Sequence, residues 1–234
     1  NPMTNLDMEE IQKEVIKEVN PYLASIQGVY LAGSYARGEQ TSSSDVDILV
    51  ITDKTIKIPK KEPYDIYTIS RTKINKTVKY YPLQIMSMIR EAKPIINMVL
   101  LEDLKQIELK PYYFKEHLES LERALNIIKN LINGYNDSDL VTASLIYPII
   151  LRLRGLYLTE ALLKNKIYKT SKIKSDIKGI GIEEKRIERI YKIYQIKRDT
   201  RKNLISDITI KEIKEIYKLA SEKYNGIIKW LKEK

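Results

Sequence analysis

The stretch from Gly33 to Asp47 constrains the fold of this chain more than any other part of the sequence. It follows an apolar run at 29–32, begins with Gly33-Ser34, crosses a polar segment, and ends in Asp45-Val46-Asp47 before a second apolar run at 48–51. Apolar runs on both sides of a polar loop are typical of two buried strands that meet at one edge of a sheet. The sequence therefore predicts a strand, a loop and a second strand.

The two aspartates at the start of the second strand predict a metal site. Alternate residues of a strand point to the same face, so Asp45 and Asp47 would project together while Val46 and Ile48 enter the core. Two carboxylates on one face form an anionic site made only of oxygen ligands. Such sites hold Mg²⁺ together with the phosphates of a substrate.

Three residues of the loop complete a phosphate site. Gly33 allows a phosphate to approach the backbone, and Ser34 offers a hydroxyl and an N–H group. Arg37 adds a fixed positive charge for the phosphates. Together with the aspartates, these residues predict a site for a metal-bound triphosphate.

The order of these motifs resembles the signature of the DNA polymerase β-like nucleotidyltransferase superfamily, especially its small bacterial and archaeal members. The match consists of Gly-Ser, a ten-residue spacer (35–44) and Asp-x-Asp. The superfamily places a third acidic residue on a neighbouring strand, and Asp65 in the β-branched and aromatic run 64–69 fits that position. The resemblance covers about the first hundred residues. It implies an α+β fold, with a mixed sheet flanked by helices.

The resemblance also implies an activity and roles for these residues. The expected reaction transfers a nucleoside monophosphate from a nucleoside triphosphate, with ATP as the expected donor, to an acceptor hydroxyl and releases pyrophosphate. Asp45 and Asp47 would hold two Mg²⁺ ions, and Asp65, at the second ion, would orient the acceptor hydroxyl and take its proton. Gly33 and Ser34 would hold the outer phosphates, and Arg37 would neutralise the leaving pyrophosphate.

The rest of the chain predicts a second domain. Pro111 marks the boundary, so residues 1–111 are expected to be the catalytic domain and 112–234 an all-α bundle that binds a substrate or partner. Helices are predicted at 113–132, from 137 or 138 to 163, at 183–203 and after a capping box formed by Thr209 and Glu212. In the first domain, an amphipathic helix is predicted from about 5 to 24 and a closing strand at 102–109.

Positive charge is confined to the second half of the chain. Residues 1–113 contain 15 basic and 15 acidic residues, whereas 114–234 contain 26 basic and 16 acidic residues. The connection 164–178 alone holds six lysines, which form either a phosphate-binding surface or an ordinary solvated one. This asymmetry favours an anionic acceptor such as RNA or an acidic protein, and it leaves a small molecule open.

A catalytic domain followed by a helical bundle is similar to aminoglycoside adenylyltransferases and to the nucleotidyltransferases of toxin–antitoxin pairs. In the former, a Ser-Lys pair of the helical segment reaches the nucleotide phosphates, and Lys172 in Ser171-Lys172 matches it. The basic second domain argues against a cationic drug as the acceptor. The ribonuclease motif of some toxins, an Arg four to six residues before a His, is missing before His117, which is expected at the surface near a helix start.

Composition excludes several other classes. The chain has no Cys and one His, so disulfides and thiolate or His-rich zinc sites are excluded. No apolar run is long enough to cross a bilayer and no signal-peptide pattern is present, which leads us to expect a soluble cytoplasmic protein. The abundance of Lys, Glu, Ile and Tyr indicates a thermophile.

Two alternatives to an enzyme remain open at this stage. One is a non-catalytic protein that binds a nucleotide or neutralises a toxin, and the other is a nucleic-acid-binding module. The sequence does not determine the oligomeric state.

Overall fold

The computed structural model of the protein describes residues 6–234. Over this range the chain forms ten α-helices and six β-strands. They are arranged in two compact units that divide between Tyr113 and Phe114.

The first unit contains a four-stranded sheet and five helices. The strands are β1 (Ile26–Leu31), β2 (Val46–Thr52), β3 (Tyr64–Ser70) and β4 (Lys93–Ile96). The helices are α1 (Met8–Val19), α2 (Gly33–Arg37), α3 (Arg71–Tyr80), α4 (Pro82–Glu91) and α5 (Met98–Lys105).

The sheet is mixed, as predicted. Its strand order is β3-β2-β1-β4, with β1 antiparallel to both of its neighbours and β2 parallel to β3. Because β1 runs against β2, the C-terminal end of β1 lies beside the N-terminal ends of β2 and β3. Gly33, which follows β1, and the aspartates of β2 and β3 therefore lie at the same edge of the sheet.

Both faces of the sheet are buried. On one face, Val29, Val46 and Ile48 pack in the same cluster as Ile11 and Val15 of α1. The other face presents Tyr30, Leu49 and Ile51, which are also fully buried. Helix α3 contacts β3, α5 contacts β1, and α4 contacts both of these helices. The central strand β2 is accordingly apolar along nearly its whole length, as expected for a strand covered on both faces.

Two predictions in the first unit are wrong. The segment between β1 and β2 is not a loop throughout, because it begins with the short helix α2 (Gly33–Arg37). Residues 102–109 do not form a closing strand, because α5 continues to Lys105 and the next residues are irregular. The closing strand is β4 instead. Asn97, with φ 65°, separates β4 from α5, and its side chain accepts the N–H of Leu100 at 3.1 Å as a helix cap.

The second unit is mostly helical. Its helices are α6 (Lys115–Asn133), α7 (Ala143–Leu163), α8 (Thr170–Gly179), α9 (Glu184–Thr200) and α10 (Ile210–Lys232), and its strands are β5 (Leu140–Thr142) and β6 (Ile205–Thr209). The α7 helix is central, because it contacts α6, α8, α9 and α10. It buries residues on most of its circumference, consistent with its apolar sequence.

Two features of the second unit depart from the prediction. The antiparallel pair β5–β6 interrupts an otherwise helical unit, so α7 begins at Ala143 rather than near 138. The lysine-rich connection contains α8, which buries Ile173 and Ile177. Within residues 6–234, no helix combines the length and apolar character that a membrane span requires.

The capping box that begins α10 is confirmed and gives a stability prediction. Thr209 accepts the N–H of Glu212, and the Glu212 carboxylate accepts the N–H of Thr209 at 2.9 Å. We expect Thr209→Ala to lower the free energy of unfolding by about 1 kcal/mol in urea titrations, because an N–H group at the helix start loses its acceptor. Thr209→Ser keeps the hydroxyl and is the control. An equal loss in both variants would show that the cap hydroxyl is not responsible.

Candidate functional site

Two of the three predicted carboxylates lie side by side on neighbouring strands. Asp47 of β2 and Asp65 of β3 are direct partners in the parallel register, and strands in a sheet lie about 4.8 Å apart. Asp45 immediately precedes β2 and is exposed, as is Asp65, whereas Asp47 is half-buried. The structure therefore places all three at the edge of the sheet that also carries the Gly33 loop.

Position 33 requires a glycine because its α-carbon lies against the Asp47 carboxylate. Gly33 adopts φ +66°, a left-handed conformation that favours glycine, and a Cβ at this position would overlap the carboxylate of Asp47. The backbone N–H of Ala32 also donates to the Asp47 carbonyl at 2.8 Å. The loop and the second aspartate are thus packed against each other without space for a side chain between them.

The short helix α2 carries the other predicted phosphate ligands. Ser34 is half-exposed, and its hydroxyl makes no hydrogen bond to any other residue between 6 and 234. Arg37 donates from Nε to Glu39 at 3.1 Å and from Nη1 to Glu91 at 2.7 Å. Its burial would lower the pKa of the guanidinium, but the ion pairs with Glu91 and Glu39 outweigh this and raise it.

Glu91, at the end of α4, is the site residue that the sequence analysis missed. Its Oε1 accepts the N–H of Gly33 at 2.8 Å and its Oε2 accepts Arg37 at 2.7 Å. Glu91 is 58 residues from Gly33 in the chain. The only local signal is an acidic residue at the end of the apolar stripe of α4, which by itself does not indicate a site.

The electrostatics of the site are dominated by negative charge around Asp47. Burial and, to a smaller extent, the charges of Asp65, Glu91 and Asp45 together raise the pKa of Asp47 to about 6, whereas Arg37 opposes the rise. Lys60 lies 3.5 Å from Asp65, but both side chains are more than half exposed, so this pair contributes little. The carboxylates outnumber the cations near Asp47.

This excess of carboxylates suits a divalent cation in charge and in ligand chemistry. Every available donor is a carboxylate oxygen, which is the ligand that Mg²⁺ prefers. Among the described residues, however, no group of three or more acidic or histidine side chains converges into a ready-made metal site. Asp47 and Asp65 are the nearest to such a set.

The remaining predicted residue, Lys172, belongs to the second unit. It lies in α8 and donates to Asp176 at 2.6 Å, and Asp176 also accepts the hydroxyl of Tyr157 at 2.6 Å. His117 is half-buried rather than at the surface, and its Nε2 is buried without a hydrogen-bond partner among residues 6–234.

Residues 9–116 match the model of the nucleotidyltransferase domain family. No curated protein sequence matches the chain.

Two solved structures are similar to this chain at low identity. One is spectinomycin adenyltransferase AAD(9) from Enterococcus faecialis with ATP and spectinomycin, with 14% identity, a TM-score of 0.49 and coverage of 94% of this chain and 100% of the other. The other is a nucleotidyltransferase-like protein from Exiguobacterium sibiricum 255-15, with 15% identity, a TM-score of 0.39 and coverage of 92% and 75%.

The family match covers the sheet and every site residue of the first unit. It agrees with the resemblance that the Gly-Ser and Asp-x-Asp motifs suggested. Residues 9–116 of this chain therefore form a nucleotidyltransferase domain of the polymerase β-like type.

Proposed function

We propose that the protein is a Mg²⁺-dependent enzyme that transfers a nucleoside monophosphate, with ATP as the expected donor, to an acceptor hydroxyl. The observation that carries this proposal is the position of Asp47. Its carboxylate lies in register with Asp65 and fills the space beside Gly33, at the start of the predicted phosphate loop. Asp47, a proposed metal ligand, is therefore in contact with Gly33, the first residue of the proposed phosphate site.

The proposed metal ligands are Asp45, Asp47 and Asp65. Bound Mg²⁺ would neutralise charge on the triphosphate and lower the pKa of the acceptor hydroxyl. The excess negative charge at Asp47 supports this assignment, since a carboxylate crowded by like charges is stabilised in its ionised form by a cation.

The residues of the chain would bind and orient the reactants. The free hydroxyl of Ser34 would donate to an outer phosphate oxygen. Asp65, which is exposed at the sheet edge, would accept the proton of the acceptor hydroxyl. The hydroxyl oxygen then forms a bond to the α-phosphorus, the bond from that phosphorus to the bridging oxygen breaks, and pyrophosphate leaves with the electron pair.

The second unit is the proposed acceptor-binding domain, and the proposed acceptor is RNA. The surplus positive charge of residues 114–234 supports an anionic acceptor. The lysine-rich segment is not its main source, because several of its lysines are paired with acids. These pairs are Lys164–Glu160, Lys172–Asp176, Lys174–Glu188 and Lys178–Glu184.

The activity is tested by label transfer. Each common nucleoside triphosphate, labelled with ³²P at the α-phosphate, is incubated with Mg²⁺ and total RNA, protein or small-molecule fractions. We expect label in the RNA fraction and a loss of at least about 100-fold in Asp47→Asn, the scale on which removal of a charge-stabilising group acts. Asp53→Asn, at an exposed turn, is the matched control. Equal transfer by wild type and Asp47→Asn would contradict the metal-binding role.

The outcome also separates the alternatives. Label in protein or small molecules would change the acceptor but keep the reaction. No label in any fraction, with folded protein and at raised temperature, would favour a protein that only binds nucleotide or nucleic acid.

The raised pKa of Asp47 predicts a stability cost that depends on pH. Below about pH 4 the carboxyl is protonated in the folded and unfolded chains and contributes nothing. Between about pH 4 and pH 6 the unfolded chain releases this proton while the folded chain still holds it, so the stability cost develops over this range and is complete above it. The ionised carboxylate therefore destabilises the fold at neutral pH.

We accordingly expect Asp47→Asn to raise the free energy of unfolding at about pH 7.5 by about 1–3 kcal/mol, without divalent cations. Urea titrations at about pH 7.5 and pH 4 measure this difference, with Asp53→Asn as control. The gain should disappear at the lower pH. A stabilisation that is the same at both pH values would not come from the titration of Asp47.

A further inference from the structure

Glu91 links the two ends of α2 with a single carboxylate. Its Oε1 accepts the N–H of Gly33, the first residue of the helix, and its Oε2 accepts Arg37, the last. The side chains of Glu91 and Arg37 are only 8% and 10% exposed. Charge-assisted hydrogen bonds in such surroundings are strong and fixed in geometry.

We infer that Glu91 is a positioning residue for the triphosphate: it fixes α2 so that Ser34, between the two anchored ends, is presented to the phosphates. This inference rests on the proposed nucleotidyl transfer and adds a residue to it. Glu91 acts through Gly33 and Arg37 and does not itself contact the substrate.

The hydrogen bond from Gly33 to Glu91 changes the roles that we expected for Gly33 and Ser34 in phosphate binding. Gly33 has one N–H group, and Glu91 already accepts it. This N–H therefore contributes to holding the loop rather than to binding phosphate. The Ser34 hydroxyl remains available as a donor, because it has no hydrogen-bond partner in the described chain.

The position of α2 matters because Gly33 is held from two sides. Asp47 fills the space on one side of its α-carbon, and Glu91 holds its N–H. A shift of Gly33 would therefore move the phosphate loop relative to the predicted metal ligand. Misplacement of a reacting group by about 1 Å can reduce the rate about 100-fold.

The variant that isolates this role is Glu91→Gln. Glutamine has the same size, and its carbonyl oxygen can replace one of the two carboxylate oxygens, but its amide nitrogen is a donor and cannot replace the other. It cannot hold Gly33 and Arg37 together. The matched control is Glu39→Gln, which removes the carboxylate that accepts Arg37 Nε and leaves the contact between Glu91 and Gly33 intact.

The experiment compares the binding of ATP and AMP by titration calorimetry in the full-length protein. AMP lacks the outer phosphates that the loop would hold. We expect Glu91→Gln to weaken ATP binding at least about tenfold with little change for AMP, and to reduce kcat/KM for ATP in label transfer about 100-fold. Glu39→Gln should stay within about threefold of wild type in each measurement. A purely structural role would change ATP and AMP binding alike.

A second variant covers the case in which Glu91→Gln does not fold, since it leaves a buried guanidinium with one fewer carboxylate. Arg37→Met combined with Glu91→Met removes that charge together with both acceptor oxygens and should fold. It should bind ATP more weakly than Arg37→Met alone, with little difference for AMP. Unchanged ATP affinity in either folded variant overturns the inference.

If wild type binds ATP but transfers no label, the proposed reaction fails while the ATP and AMP comparison still tests Glu91. If wild type binds no ATP, both fail.

Discussion

The contact between the Asp47 carboxylate and the α-carbon of Gly33 joins the proposed metal ligands to the proposed phosphate-binding residues. Only a glycine with positive φ leaves space for that carboxylate, so the phosphate loop and the acidic strand are locked together at one point. The same carboxylate is crowded by Asp65, Glu91 and Asp45, with Arg37 as the opposing charge. The fold therefore places like charges next to each other, and the proposed Mg²⁺ would neutralise them.

The sheet topology is what brings these charges together. Parallel pairing of β2 with β3 sets Asp47 beside Asp65, and antiparallel pairing of β1 returns the chain to the same edge, where Gly33 follows. Helix α4 ends at Glu91, which reaches both Gly33 and Arg37. The aspartates, α2 and Glu91 come from different parts of the chain, and β2 carries the fully buried Leu49 and Ile51 next to Asp47.

The sequence was sufficient for the parts of the site that depend on local pattern. Alternation along a strand placed Asp47 correctly, and the β-branched run around Asp65 identified a neighbouring strand. Glu91 could not be found in this way, because its partners lie 58 and 54 residues away and only the packing of α4 brings them close. Short elements were also missed: β5 has three residues, and the many lysines of α8 obscure its apolar stripe of Ile173 and Ile177.

The central claim is that the edge of the sheet holds an excess of negative charge that a divalent cation relieves. The most direct measurement is a ¹³C NMR titration of the Asp47 carboxyl, assigned by comparison with Asp47→Asn, with and without Mg²⁺. The structure predicts a pKa of about 6 without Mg²⁺ and a clear decrease when Mg²⁺ is added. A carboxyl that titrates near its ordinary value of 3.8, or that does not respond to saturating Mg²⁺, would contradict this account.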